Sequence, residues 1–170
     1  MTIPFKTFVA VEAIGIAAMN AGINALYTWC LWRSRGPLPI QGVGGIAFDL
    51  ASTPIWIAML STLLGTVMIR AKLRDGRVVV PAMRAPLVLD TLPAGVFARA
   101  LVLGATAATV LGLPLWWALD ASGFDEITLI AAVLTKVAIT VPLSLAVVPL
   151  VILAGLADVQ RSRRPALLRA

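Results

Sequence analysis

The stretch LIAAVLTKVAITVPLSL, residues 129–145, is an apolar run interrupted by a single charge, Lys136. Apolar residues continue past it to about residue 157, and a helix needs about 20 such residues to cross a bilayer. A lysine at the centre of a bilayer costs about 2.5–3.5 kcal/mol on insertion scales, so an intramembrane charge usually marks a functional site. The stretch therefore predicts a transmembrane helix and makes Lys136 the first candidate site residue.

The composition of the whole chain supports a membrane protein. Of the 170 residues 60% are hydrophobic and 13% are charged, and the mean hydropathy is +0.97, whereas soluble domains carry about 25% charged residues. A soluble protein of this size has too little interior to bury so much apolar surface. We therefore predict that the chain resides in a membrane.

The same composition excludes several classes of function. The chain has one cysteine, Cys30, and no histidine, which argues against an internal disulfide, a metal hydrolase and a Cys/His protease. We expect no cofactor and no bound metal, and the sequence contains no evident nucleophile and base pair, so we do not expect an enzyme. The net charge of +6 comes from basic residues beside apolar runs, a pattern typical of membrane topology and anionic-lipid contacts rather than of nucleic-acid binding.

Four apolar windows predict four transmembrane helices in a single domain spanning residues 1–170. The windows cover residues 8–32, 46–69, 96–119 and 127–157, with a basic linker over 70–95 and a basic tail over 158–170. We predict an all-α integral membrane protein, a four-helix transmembrane bundle.

Basic residues predict the orientation of this bundle. All Lys and Arg residues except Arg33, Arg35 and Lys136 fall on one side, whereas the link DASGFDE, residues 120–126, carries three acids and no basic residue. By the positive-inside rule both termini are cytoplasmic. The basic residues that we expect to contact anionic lipids are Arg70, Lys72, Arg74, Arg161, Arg163 and Arg164.

Aromatic residues mark the predicted outer boundary. Tyr27, Trp29 and Trp32 end the first helix, and Trp116 and Trp117 end the third. Such side chains favour the membrane–water interface, where the ring is buried and the polar group stays hydrated. We therefore predict an outer aromatic belt at these positions.

Helical phase and depth suggest neighbours for Lys136. Small residues and amides form one narrow stripe on the first helix, and Asp49, Thr53 and Trp56 share a face of the second. The stripe contains Ala13, Ala17, Asn20, Asn24 and Thr28, and it is predicted to face protein. The candidate cluster for binding a substrate or ion contains Asn20, Asn24, Asp49, Lys136 and Thr140.

Three alternatives remain open for Lys136. It forms a structural ion pair with Asp49 or a bridge to an amide, it lines a polar cavity for a substrate or ion, or it meets a partner protein or a lipid headgroup. On the third helix, Gly104, Ala108 and Gly112 form a stripe of small residues that predicts close packing, either within the bundle or across a dimer.

Several stretches taken together resemble a group of small bacterial four-helix membrane proteins. They are AGINALYTW, residues 21–29; GGIAFDLASTP, residues 44–54; FARALVLG, residues 97–104; and LTKVAITVPLSLAVVPL, residues 134–150, together with the arginine-rich link after the second helix. The resemblance covers nearly the whole chain and implies a multi-pass protein of the bacterial inner membrane. It implies no activity.

Two functional hypotheses follow. The first is a small transporter or channel-like protein, oligomeric because four helices enclose little volume, whose polar cluster binds a small anionic or amphipathic solute. The second is an accessory or scaffold subunit of a larger membrane complex, in which ion pairs hold the helices and the basic tail contacts lipid or a partner.

Overall fold

The computed structural model describes residues 4–42, 44–75, 92–93 and 95–167, without the side chains of residues 73–74 and 159–167. Within this part of the chain the fold is all-helical, with four helices long and apolar enough to cross a membrane. The helices are α1 (Phe5–Trp32), α2 (Ala47–Arg74), α3 (Val96–Ala121) and α4 (Leu129–Leu167). The two short strands are β1 (Leu38–Pro39) and β2 (Glu126–Ile127).

The helix ends differ from the predicted windows where charges begin. Helix α2 continues to Arg74 and α4 to Leu167, so both extend into the segments predicted as linker and tail. A hydropathy window ends at the first charged residues, but backbone hydrogen bonding does not depend on apolar side chains. The rest of the predicted linker, residues 76–91, lies outside the described residues.

Helix α4 is the central element of the packing. Helices α1 and α2 both pack on α4, and α3 packs mainly on α2. The buried share of the 18-residue apolar window differs among the helices. It is 17% in α1, compared with 50% in α2 and 44% in α4. Helix α1 therefore lies at the periphery and uses mainly the face that meets α4.

The stripe of small residues on α3 packs within the chain. A Cβ atom on Gly112 would lie 2.6 Å from the carbonyl oxygen of Ala51, and one on Gly104 would lie 2.6 Å from Cγ of Met59. Both contacts are with α2, so the stripe serves close packing inside the bundle. Between these glycines α3 contains a π-helical segment, Ala108–Gly112, just before Pro114, a residue that cannot donate a backbone hydrogen bond.

The two short strands join two loops at one end of the bundle. Leu38 pairs with Ile127 and Pro39 with Glu126 in antiparallel register. We call this the strand end. A small apolar core of Trp32, Leu38, Ile46, Leu50 and Ala132 lies beneath it.

Trp32 differs from the predicted interfacial belt. It is buried in the core of the strand end, and the guanidinium of Arg35 lies 4.7 Å from its ring centroid. Trp29 and Trp117 are exposed, as an interfacial position requires. The loop after α1 folds back over Trp32, so this one side chain in the last turn of the helix is covered by protein.

The opposite end, which we call the basic end, is where α1 and α3 begin and α2 and α4 end. An apolar core that includes Phe8, Ile69 and Leu156 extends to it. The predicted stripe on α1 faces this protein interior, because Ala13, Ala17 and Thr28 are buried.

Candidate functional site

A groove of about 590 Å³ separates α1 from α2. Its walls come from the two helices, its floor includes Lys136 of α4, and it extends from the strand end at Gly45 to Gly65. Binding sites for small molecules usually measure about 300–1,000 Å³ and are mainly apolar with a few polar groups. The groove has both properties.

Among the residues that the structure describes, Lys136 and Asp49 are the only charged ones that line the groove. The ammonium nitrogen of Lys136 lies 2.9 Å from Oδ1 and 2.8 Å from Oδ2 of Asp49, and 4.8 Å from the ring centroid of Tyr27. The ion pair with Asp49, one of the alternatives that the sequence left open for Lys136, therefore forms. Lys136 lies two turns into α4, roughly 10 Å from its start at 1.5 Å per residue.

The two members of this ion pair are buried to different extents. The side chain of Lys136 is 3% exposed and that of Asp49 is 19% exposed. Both residues line the groove, and the carboxylate is the more exposed of the two because the ammonium contacts both the carboxylate and the Tyr27 ring. The positive charge of Lys136, from which an anionic solute was expected, is thus already paired with Asp49.

The backbone beneath Asp49 is held by two hydroxyl groups. Thr53 Oγ1 donates to the carbonyl oxygen of Asp49 at 2.7 Å, and Ser52 Oγ donates to the same oxygen at 3.2 Å. Pro54 lies next in α2 and has no N–H for an intrahelical bond. The helix is fixed locally by side chains, and this positions the carboxylate toward α4.

Asn20 joins three helices. Its side-chain nitrogen donates to Ser61 Oγ of α2 at 3.1 Å and to Ser144 Oγ of α4 at 2.9 Å. Both N–H groups of the amide are thereby used. Asn20 lines the inner part of the groove and serves as a structural node there.

Asn24 and Thr140 occupy different surroundings although both were predicted beside Lys136. Asn24 lines the groove, and its amide nitrogen donates to the carbonyl oxygen of Asn20 at 2.9 Å. Thr140 is fully buried and donates to the carbonyl oxygen of Lys136 at 2.7 Å. Of the five predicted site residues, the groove is lined by Asn20, Asn24, Asp49 and Lys136, whereas Thr140 lies behind it.

The groove opens sideways along the middle of the helices. Its lining residues Ile23 and Met19 of α1 and Trp56, Leu60 and Leu64 of α2 are all exposed large apolar side chains. A cleft that opened only at a helix end would meet water in a membrane-spanning bundle. This one opens where a surrounding bilayer would place hydrocarbon chains.

Two of the predicted lipid-binding residues take part in ion pairs at the basic end. Arg70 donates to Asp158 Oδ2 at 2.9 Å, and Arg99 contacts both oxygens of the same carboxylate at 3.2 Å. Lys72 pairs with Glu12 of α1. The side chains of Arg70 and Lys72 stay partly exposed, whereas the predicted contacts of Arg74, Arg161, Arg163 and Arg164 lie outside the described side chains.

Sequence reasoning missed four residues around these sites. They are Tyr27, which stacks on Lys136; Ser61 and Ser144, which accept from Asn20; and Asp158, which binds two arginines. Asp158 was assigned to the tail, although an acid at the end of an apolar run beside several arginines is a readable signal for an ion pair. The serines carried no such signal.

Polar atoms without partners remain near the strand end. Trp32 Nε1 and Thr28 Oγ1 are buried and have no hydrogen-bond partner in the described part of the chain. Trp32 lines the groove, but its indole N–H is shielded and does not offer a donor to the groove surface.

Comparisons of the chain with protein-family models, with curated proteins and with solved structures found no match. The function therefore has to be inferred from the residues of the groove.

Proposed function

We propose that this chain is a multi-pass protein of the bacterial inner membrane, with both termini in the cytoplasm, that binds and transports an amphipathic, lipid-like molecule. The observation that supports this best is the sideways opening of an apolar groove with an ion pair in its floor. A molecule with a hydrocarbon chain can enter such a groove from the bilayer without crossing water. Its polar group then meets Asp49, beside the strand end.

The shape of the groove favours a chain-like ligand. Its apolar walls extend from Gly45 to Gly65 along α2, which is roughly 30 Å at 1.5 Å per residue. The described polar residues lie at two levels, the Asp49–Lys136 pair near the strand end and Asn20 deeper in. A compact polar solute would leave most of this apolar surface uncovered.

Quenching of tryptophan fluorescence tests this proposal. Trp56 lines the groove and is 57% exposed, so bromine atoms on the chain of a bound long-chain alcohol would lie near its indole ring. We expect saturable quenching of the purified protein in mild detergent, and we expect Trp56→Phe to remove most of the saturable signal. Trp117 is exposed on α3, outside the groove. Quenching that rises linearly with ligand concentration and is equal for Trp56 and Trp117 would contradict the proposal.

Two isoleucines of α1 provide a matched pair for blocking the groove. Ile23 lines it, whereas Ile14 does not, and the two are 58% and 63% exposed. Ile23→Phe extends a side chain over the groove and should weaken binding of the brominated alcohol severalfold, while Ile14→Phe should leave it unchanged. Equal effects of the two substitutions would show that the chain binds elsewhere.

A second candidate function is that of an accessory or scaffold subunit, in an oligomer or a larger complex. Ion pairs join α2 to α4, α1 to α2, and α3 to α4, which supports a rigid helical framework. In this case the groove would seat a transmembrane helix of another protein. Purification in mild detergent distinguishes the candidates, because a foreign subunit in fixed stoichiometry favours the scaffold.

A further inference from the structure

We infer that the groove selects an uncharged headgroup that donates a hydrogen bond, such as the hydroxyl group of a long-chain alcohol, to the carboxylate of Asp49. This inference rests on the proposed function, since it names the class of amphipathic molecule that the same groove would bind. Some hydrogen-bonding groups of the groove already bond inside the protein, whereas others remain available to a ligand.

The donors of Lys136 and of the two hydroxyl groups beneath Asp49 are used inside the protein. Lys136 has three N–H groups, of which two meet the oxygens of Asp49 and the remainder faces the Tyr27 ring. The hydroxyls of Ser52 and Thr53 both donate to the backbone carbonyl of Asp49. The donors left at this level are one N–H of Asn24 and the hydroxyl group of Tyr27. Both are neutral, so a carboxylate or phosphate headgroup meets no unpaired cation among the described residues of the groove.

Acceptors, in contrast, remain available. A carboxylate accepts about four hydrogen bonds, and Lys136 is the only side chain among the described residues that donates to Asp49. The side-chain oxygen of Asn24, on the facing helix, accepts no hydrogen bond from a described residue. Both residues line the groove, so its polar surface is rich in acceptors and suits a donor.

Charge excludes the alternative donor, a protonated amine. The Asp49–Lys136 pair is electrically neutral, and no other described charged residue lines the groove. An ammonium headgroup would add an uncompensated positive charge next to Lys136 in a poorly hydrated site, where burial of an unpaired charge is unfavourable. A hydroxyl group donates one hydrogen bond and adds no charge.

A series of ligands with one brominated chain and different headgroups tests the inference. The headgroups are a hydroxyl, a methyl ether, a carboxylate and an ammonium, and the measurement is saturable quenching of Trp56. We expect the alcohol to bind about tenfold more tightly than the ether, because a hydrogen bond to a charged group contributes at least this much. The two charged ligands should bind more weakly than the alcohol.

Variants at the ion pair link this selectivity to Asp49. Asp49→Asn combined with Lys136→Gln removes both charges together, which avoids leaving one of them unpaired. We expect this double variant to bind the ether as before and to lose most of the preference for the alcohol. Arg70→Ala, at the basic end and outside the groove, is the control and should keep the preference.

The outcomes separate this inference from the proposed function. Saturable binding with equal affinity for the alcohol and the ether, or tightest binding of the carboxylate, would overturn the hydroxyl selectivity and leave the binding groove intact. Absence of saturable quenching with every headgroup would overturn both. A preference for the alcohol that persists in the double variant would show that another residue reads the headgroup.

Discussion

The ammonium of Lys136 is more deeply buried than the carboxylate of Asp49 to which it binds, with 3% and 19% of the side chains exposed. Removing one member of a buried pair leaves the other charge uncompensated and typically costs about 3–5 kcal/mol. The less accessible charge suffers more from this loss. Loss of the Asp49 carboxylate should therefore weaken the contact between α2 and α4 more than loss of the Lys136 ammonium.

We predict that Asp49→Asn destabilises the protein more than Lys136→Met. The first substitution leaves an almost completely buried ammonium beside a neutral amide, whereas the second leaves a carboxylate that is less deeply buried. Unfolding in detergent, followed by circular dichroism, measures both effects. The double variant should be closer to the parent in stability than Asp49→Asn alone; a double variant that loses the sum of the two effects would contradict this coupling.

Asn20 provides a second prediction, because its amide bridges Ser61 and Ser144 across three helices. Hydrogen bonds between membrane helices contribute about 0.6 kcal/mol each on average and up to about 1.7. Asn20→Ala should therefore lower the free energy of unfolding by roughly 1–3 kcal/mol. Asn24→Ala is the matched control, since Asn24 donates only to a backbone carbonyl of its own helix, and an equal loss there would argue against the bridge.

The four helices could be predicted from the sequence because length and apolar composition alone determine which segments can span a bilayer. The partnership of Lys136 and Asp49 could also be anticipated, because a buried charge needs a counter-charge at similar depth. Helical phase placed Asp49, Thr53 and Trp56 on one face, and all three line the groove.

The apolar walls and the sideways opening of the groove could not be predicted from the sequence. The existence of the groove depends on α1 and α2 both packing on α4 while staying apart from each other along it. The contact between the Lys136 ammonium and the Tyr27 ring was also not predicted, because Tyr27 was expected to lie at the membrane interface. Packing determines which helices contact each other and which rotamers their side chains adopt. Neither can be read from a single sequence.

Glycines of α3 give a third prediction, in which backbone and side-chain clashes are compared. Gly112→Ala would place a Cβ atom 2.6 Å from the carbonyl oxygen of Ala51, and Gly104→Ala would place one 2.6 Å from Cγ of Met59. A methionine side chain can move, but the backbone of α2 cannot without shifting the helix. We expect Gly112→Ala to cost about 1–3 kcal/mol of stability and Gly104→Ala to cost less.

Gly22 is the control for this pair. It lies in α1, and a Cβ atom there would meet nothing within 4 Å, so Gly22→Ala should be neutral or stabilising, by up to about 1 kcal/mol. Thermal unfolding of the three variants in one detergent gives the order. A Gly104→Ala variant less stable than Gly112→Ala would show that Met59 is held rigidly.

The basic end gives a fourth prediction, since Asp158 is the carboxylate shared by Arg99 and Arg70. Arg99 is almost completely buried, with 3% of its side chain exposed, whereas the Arg70 side chain is 36% exposed. Asp158→Asn would leave the buried guanidinium without its carboxylate, and we expect a loss of about 3–5 kcal/mol. Arg70→Ala should cost about 0–1 kcal/mol, as exposed ion pairs do.

Arg99→Met distinguishes a charge effect from a general loss of packing at this end. In the Arg99→Met background, Asp158→Asn no longer leaves a buried cation without its counter-charge. Its effect on the free energy of unfolding should then be that of losing the exposed pair with Arg70, about 0–1 kcal/mol. Chemical unfolding of the four proteins in a double-mutant cycle measures this coupling. If Asp158→Asn is equally destabilising with and without Arg99, the carboxylate supports α4 through contacts other than the buried arginine.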